Sequence, residues 1–198
     1  GPYSGMITIC IDSEMMAVTN DRYKICERCG YGYIADIKPN SRHIDRFKND
    51  CQGKLRSVRF AYPFLTDIAI IRFDLLCDDN SAKSVLYAII EGLCREFEIE
   101  RSEVDGCLIT SDGSHEYIIF DKTPGGSGYV RAITSDSIIH ILNRALEVCE
   151  NCDCGGKEGD GSCYRCLRNY YNQKDHEVIR RGAAISYIRR LLGRIDAR

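Results

Sequence analysis

Four cysteines in the C-terminal half of the chain have a spacing that can hold a metal ion. They are Cys152, Cys154, Cys163 and Cys166, and they form a CxC pair, a loop of eight residues and a CxxC pair. Four thiolates this close together can surround one Zn²⁺ as a tetrahedron. The loop contains four glycines and no apolar side chain, so metal binding would have to order it. Two alternatives stay open: disulfide pairing, and Cys149 in place of Cys152.

A second metal site is predicted near the N-terminus. Cys26 and Cys29 form a CxxC pair, and Cys51 follows. His43 lies between them and would complete a set of three thiolates and one imidazole, which is common in structural zinc sites. Cys10 is the alternative fourth ligand, if the first strand lies alongside. Four protein ligands leave no position for water, so Zn²⁺ is predicted as a structural cofactor, with one ion at each site.

Composition excludes several classes of protein. The chain has 198 residues, of which 44% are hydrophobic, and this is enough for a core. It shows neither an apolar run of about 18 residues nor a secretory leader, so we expect no membrane partner and a cytoplasmic location. Twelve cysteines without a leader favour metal binding in a reducing compartment. Because GxSxG, HExxH and Walker motifs are all missing, the chain is not expected to be an enzyme.

Charge is distributed unevenly along the chain. From Arg165 to Arg198 there are nine Lys and Arg and three acidic residues, giving +6, and the rest of the chain carries −8. A basic end on an acidic body predicts an anionic partner such as DNA, or an acidic protein surface. A solvated basic helix face is the alternative. The predicted nucleic-acid contacts are Arg165, Arg168, Arg180, Arg181, Arg189 and Arg190.

Hydrophobic periodicity predicts strands and helices that alternate along the chain. The predicted strands are 6–11, a hairpin of 58–64 and 67–76, and a pair at 106–110 and 116–121; the predicted helices are 81–97, beginning at Ser81 or Ser84, 129–150 with a break, and 175–195. Strands joined by hairpins with helices between them favour an α+β fold with an antiparallel or mixed sheet. We predict two domains, a zinc-knuckle subdomain at 1–57 and an α+β domain at 58–198.

One run of residues resembles a known domain. Tyr117 to Tyr129 contains an acidic residue and the turn Pro124-Gly-Gly-Ser-Gly128, which could cradle a phosphate or serve as a tight turn. An amphipathic helix, the four-cysteine cluster and a terminal helix follow. This order resembles the MZB zinc-binding domain of Mrf-type DNA-repair helicases and of partner subunits in DISARM-like phage defence. The loop before Cys163 is longer than that family's pattern.

The resemblance covers roughly residues 58–195 and implies a function. The chain would be a non-catalytic module of a DNA helicase or of a helicase-associated repair or defence protein, contributing DNA contact or motor docking. A superfamily-2-type motor would lie in the same protein or on a partner. The alternative is a protein-interaction scaffold that holds a helicase or nuclease and does not touch DNA.

Overall fold

The computed structural model describes residues 3–19, 21–36 and 43–194. The strands are β1 Gly5–Val18, β2 Tyr23–Cys26, β3 Gly32–Ile34, β4 His43–Ile44, β5 Asp50–Cys51, β6 Leu55–Val58, β7 Ala61–Phe73, β8 Val104–Ser111 and β9 Ser114–Asp121. The α-helices are α1 Asp79–Glu96, α2 Ser137–Glu150 and α3 Arg181–Leu191, with 3-10 turns at Val130–Ala132 and Tyr170–Asp175. Among the described residues, no helix is long and apolar enough to cross a bilayer.

The chain forms two compact units. The smaller unit is Glu14–Phe64, and the larger unit contains the residues up to Ser13 and those from Leu65 onward. The sequence had placed a boundary between residues 57 and 58. Because β1 and β7 each cross from one unit into the other, the smaller unit is an insertion between two strands of the larger one.

A four-stranded sheet in the order β1-β7-β9-β8 supports the larger unit. The ladders of β7 with β9 and of β8 with β9 are antiparallel. Alternate side chains of β7 and β9, such as Ala69, Ile71, Tyr117 and Ile119, are buried in one core with residues of all three helices. This alternation is typical of a sheet with one face covered by helices. The predicted α+β class with antiparallel sheets is therefore confirmed.

Helix α1 lies at the centre of this core. Its N-cap is Asp78, whose carboxylate accepts hydrogen bonds from the backbone N–H groups of Asn80 and Ser81. The predicted start at Ser81 or Ser84 was therefore a few residues late. An added Cβ at Gly92 would lie 2.8 Å from the backbone nitrogen of Ala145 in α2. The glycine thus allows α1 and α2 to pack closely.

The predicted hairpin around Leu65-Thr66-Asp67 was wrong, since β7 continues through this segment as one strand. Its polar residues resemble a turn, but both are fully buried with partners. The hydroxyl of Thr66 donates to the carbonyl oxygen of Asp121 at 2.6 Å. The carboxylate of Asp67 accepts from Arg131 at 2.7 Å. Distant residues therefore allow polar side chains in a central strand.

Helix α3 is shorter than the predicted span of 175–195, and Ile195 lies outside the described residues. The residues before it form a 3-10 turn that ends at Asp175. This carboxylate accepts from Lys83 Nζ at 2.9 Å and from the Tyr87 hydroxyl at 2.6 Å. Both partners lie in α1, so the turn is tied to the central helix before α3 begins.

The smaller unit is made of short strands. A three-stranded antiparallel sheet has the order β3-β2-β6, and β4 pairs with β5 so that His43 lies opposite Cys51. Strands of two to four residues bury little apolar surface. A metal would therefore be the main source of order in this unit.

Candidate metal centres

The C-terminal cluster brings four sulfur atoms together after the end of α2. The sulfurs of Cys152, Cys154, Cys163 and Cys166 all lie within 4.8 Å of one another. Three of the separations are 3.5 Å for 152 with 163, 3.6 Å for 154 with 166, and 3.9 Å for 163 with 166. All twelve cysteines lie in the described part of the chain, and none of them forms a disulfide bond.

These sulfur separations fit a tetrahedral zinc ion. With a Zn–S distance of about 2.3 Å, the edge of a regular tetrahedron of sulfurs is about 3.8 Å. A disulfide would need a separation of about 2.05 Å. The sulfur separations of 3.5 to 3.9 Å match the edge of the zinc tetrahedron. The donor set would hold the ion through four thiolates and leave no position for a substrate.

The structure places Cys149, the alternative to Cys152, outside this group. Cys149 is fully buried in the last turn of α2, where its side chain belongs to the apolar core. Burial raises the pKa of its thiol to about 12. Such a thiol packs as a small hydrophobic side chain and is a poor source of thiolate.

Backbone N–H groups support the thiolates of this cluster. The N–H of Arg165 donates to the sulfur of Cys163 at 3.4 Å, and that of Cys163 donates to the sulfur of Cys166 at 3.2 Å. Desolvation raises the pKa of Cys163, but the Arg165 bond and those from neighbouring thiols lower it to about 7. Hydrogen bonds to a charged group favour that form, so this thiol is prepared to lose its proton to a metal.

Arg181 holds the zinc loop against α3. Its guanidinium donates to the carbonyl oxygens of Cys154 at 3.1 Å, Cys149 at 3.1 Å and Gly156 at 2.7 Å. The side chain is only 5% exposed. A cation in the first turn of a helix opposes the helix dipole, and here three carbonyl acceptors offset that cost. Arg181 therefore has a structural role, with its guanidinium bound to three carbonyl oxygens.

The glycines of the loop make this close packing possible. Gly159 has φ +62°, and an added Cβ there would lie 2.6 Å from the backbone nitrogen of Gly182 in α3. That nitrogen donates to the carbonyl oxygen of Gly159 at 3.0 Å, and the nitrogen of Arg181 donates to that of Gly161 at 2.7 Å. The loop is thus ordered by backbone contacts with α3 as well as by the metal-binding cysteines on either side of it.

The N-terminal cluster lies within the smaller unit. The donor atoms of Cys26, Cys29, His43 and Cys51 all lie within 4.8 Å of one another, and the sulfurs of Cys26 and Cys51 are 3.7 Å apart. Desolvation raises the pKa of the Cys26 thiol, but hydrogen bonds from the backbone of Cys29 and Arg28 lower it to about 6. Cys10, the alternative fourth ligand, is not a member of this group.

His43 provides a separate test of whether a metal fits. Its ring is buried and stacked on Tyr31, with 5.1 Å between the ring centroids. Its Nε2 atom is buried and has no hydrogen-bond partner among the described residues. An unpaired buried nitrogen costs free energy, and a zinc ion held by the three neighbouring sulfurs would remove that cost. The residues at this site therefore fit Zn²⁺.

Gly53 lies so close to the N-terminal cluster that there is no room for a larger side chain. An added Cβ would lie 2.7 Å from the Cβ of Arg28 and 3.3 Å from the sulfur of Cys51, and closer still to the sulfur of Cys26. We therefore expect Gly53→Ala to displace two ligands and to lower the zinc content from two ions per chain to one. Elemental analysis of purified protein measures this.

Gly32→Ala is the matched control, because its Cβ would come no closer than 3.5 Å to a neighbour. That variant should keep both ions. Retention of two zinc ions by Gly53→Ala would contradict the proposed geometry of the site.

The glycine-rich turn after β9 is ordered by a buried carboxylate. Asp121 is fully buried and accepts hydrogen bonds from the backbone nitrogens of Ser127 at 2.8 Å, Gly128 at 2.6 Å and Val130 at 3.2 Å. The N–H groups that could have cradled a phosphate already bind this carboxylate. Of the two interpretations drawn from the sequence, the structure favours the tight turn.

The other predicted nucleic-acid contacts lie partly or largely at the surface. Three form ion pairs: Arg165 with Asp153 at 2.6 Å, Arg180 with Asp160 at 2.8 Å, and Arg189 with Glu150 at 2.8 Å. Arg168 donates to the hydroxyl of Ser162 at 3.0 Å and to the carbonyl oxygen of His176 at 2.9 Å. Arg190 is exposed, with its guanidinium 6.0 Å from the ring of Tyr3.

Part of the chain is similar in sequence to a known domain family. Residues 85–167 match the family model of MZB, the MrfA Zn-binding domain. Among solved structures, the chain is similar to the crystal structure of the DUF1998 helicase MrfA bound to DNA, with 13% identity and a TM-score of 0.47. That likeness covers 97% of this chain and 25% of the other, so the chain spans about a quarter of that helicase's length.

No curated protein matches the chain in sequence. The family match includes β8, β9, α2 and all four cysteines of the C-terminal cluster. It confirms the resemblance drawn from the sequence and the prediction of zinc as the cofactor. Residues 85–167 of this chain are therefore similar to the MZB zinc-binding domain.

Proposed function

We propose that this chain is a zinc-stabilised, non-catalytic module of a DNA helicase system. A superfamily-2-type motor would lie in the same protein or on a partner subunit, in DNA repair or phage defence. The observation that supports this most is the MZB match over residues 85–167 together with four sulfurs at zinc-like separations inside it. We propose two structural Zn²⁺ ions, held by the C-terminal cluster and the N-terminal cluster. The smaller unit would be a zinc knuckle that accompanies the α+β domain.

A structural role for zinc follows from the donor sets. Each cluster offers four protein ligands, whereas a catalytic zinc keeps one position for water or substrate. The buried carboxylate of Asp121 is also committed to backbone N–H groups. The zinc ions would thus hold the loops that present surface arginines.

DNA contact is the first role that we propose for this surface. Fluorescence anisotropy of a labelled duplex, measured from about 50 to 300 mM salt, would test it. With two to four phosphate contacts, the slope of log K against log salt should be about −2 to −4. The double charge reversal Arg180→Glu and Arg190→Glu should weaken binding about tenfold or more. Arg59→Glu, an exposed arginine of the smaller unit, is the control.

Lack of DNA binding by the zinc-loaded protein at about 50 mM salt would contradict this role. The second candidate is then a scaffold for a helicase or nuclease partner. The ion pairs of Arg165, Arg180 and Arg189 with nearby acidic side chains favour it, because they lower the positive potential of this surface. Co-purification with a helicase subunit that depends on the surface arginines would support the scaffold.

A further inference from the structure

A cavity of about 440 Å³ lies on the larger unit beside the C-terminal metal site. Its lining comes from the end of α1, from α2 and from the C-terminal cluster that follows α2. The polar residues and the cysteine that line it are Arg95, Arg144, Glu147, Asn151, Cys152 and Arg165. Three guanidinium groups from three separate segments therefore meet at one cavity, with one carboxylate among the lining residues.

Two of these arginines are held in place by neighbouring carboxylates. Arg144 donates through Nε to Glu96 at 3.2 Å and through Nη1 to Glu147 at 3.0 Å. Arg165 donates through Nη2 to Asp153 at 2.6 Å. A guanidinium has five N–H donors in a fixed plane, so each retains donors after these bonds. The carboxylates orient the two groups and reduce the entropy lost when an anion binds.

Arg95 has no such partner. It is exposed in the last turn of α1 and forms no ion pair with any residue that the structure describes. The negative end of a helix dipole stabilises a cation there without a carboxylate. The lining has three arginines and one glutamate, while Glu96 and Asp153, which pair with Arg144 and Arg165, do not line it. Arg95 is the lining arginine that has donors free for an anion.

We propose that this cavity binds a phosphodiester group of the nucleic-acid backbone, an inference that rests on the proposed function. Its volume is within the range of roughly 300–1,000 Å³ found for ligand sites. Among the residues that the structure describes, no aromatic side chain lines it, so they offer nothing on which a base could stack. Guanidinium groups match phosphate oxygens in a bidentate manner. Because Cys152 is part of the wall, the zinc site would also set the position of Arg165.

The test uses the full zinc-loaded chain and the variant Arg95→Gln. We expect this change to weaken duplex binding about fivefold to tenfold at 50 mM salt and to reduce the salt slope by about one, as one phosphate contact is lost. Adding Arg165→Gln should weaken binding further. Arg59→Gln is the control for the loss of one exposed positive charge. Zinc content should be unchanged in Arg95→Gln and Arg59→Gln, because these two side chains are exposed.

The outcomes separate this inference from the function on which it rests. If the wild type does not bind DNA, the DNA-contact role fails and the inference fails with it. If the wild type binds and Arg95→Gln binds equally well, the inference alone is overturned. Polyglutamate that binds as tightly as DNA and depends on Arg95 would assign the cavity to an acidic protein partner and overturn the phosphodiester assignment. Binding of inorganic phosphate but no DNA would do the same.

Discussion

Replacing Cys163 with serine should remove one zinc ion per chain and loosen the loop that follows α2. The change leaves three thiolates for the metal, and structural zinc contributes on the order of 10 kcal/mol in small fingers. We expect the loss of order to be mainly local, because the apolar core that buries α1, β8 and β9 includes Cys152 and Cys166 but consists mostly of residues that are not zinc ligands. Helix α3 should stay docked through its buried residues Tyr187, Ile188 and Leu191.

Two measurements check this result. Elemental analysis should give two zinc ions for the wild type and one for Cys163→Ser, and hydrogen exchange should quicken at 152–168 while 79–96 and 104–121 stay protected. Cys107→Ser is the control, since Cys107 is exposed and belongs to neither cluster. Unchanged zinc content in Cys163→Ser would refute the ligand assignment, and global loss of protection would refute the independence of the core.

Replacing Arg181 with alanine should cause the second large effect. The change removes the guanidinium donor from the carbonyl oxygens of Cys149 and Cys154, and it leaves Gly156 with the N–H of Gly159 as its donor. A buried polar group that loses its partner typically costs about 1–3 kcal/mol, so we expect the loss of these contacts to cost about 3–5 kcal/mol in total. For a chain of this size each kcal/mol lowers the midpoint of thermal unfolding by about 2–4 °C, so a decrease of about 10 °C is expected.

The neighbouring residue offers a matched control. Arg180 is partly exposed and pairs with Asp160, which is at the surface, so Arg180→Ala should lower the free energy of unfolding by less than about 1 kcal/mol. Arg181→Lys should restore only part of the stability, because one ammonium group cannot reach three carbonyls in the geometry of a guanidinium. Equal thermal midpoints for Arg181→Ala and Arg180→Ala would show that the buried contacts contribute nothing.

Local pattern predicted the elements whose causes are local. The stripe of Val85, Ile89 and Leu93 predicted α1, and the turn between β8 and β9 predicted their hairpin, because period and turn chemistry are visible within a few residues. The CxC and CxxC spacings indicated both clusters for the same reason. The chemistry of sulfur and imidazole, together with their spacing, was sufficient to suggest zinc.

Features that depend on distant partners could not be predicted in this way. Thr66 and Asp67 look like a turn until Asp121 and Arg131 are placed beside them. Arg181 looks like one more surface arginine of a basic helix, because its acceptors are carbonyl oxygens of residues 25 to 32 positions earlier. Backbone acceptors carry no residue type that sequence reasoning could recognise. The role of Arg181 was therefore missed, and no local signal could have shown it.

The insertion of the smaller unit between β1 and β7 has a consequence for how the chain folds. Pairing β1 with β7 must close a loop of about fifty residues, and the entropic cost of closure rises with the logarithm of loop length. All four ligands of the N-terminal cluster lie inside that loop. If these ligands bind zinc first, the loop folds into a compact unit before the larger unit forms. Fewer flexible residues then separate β1 from β7, and the entropic cost of pairing these two strands is lower. Zinc availability during synthesis would in this way influence the rate at which β1 pairs with β7.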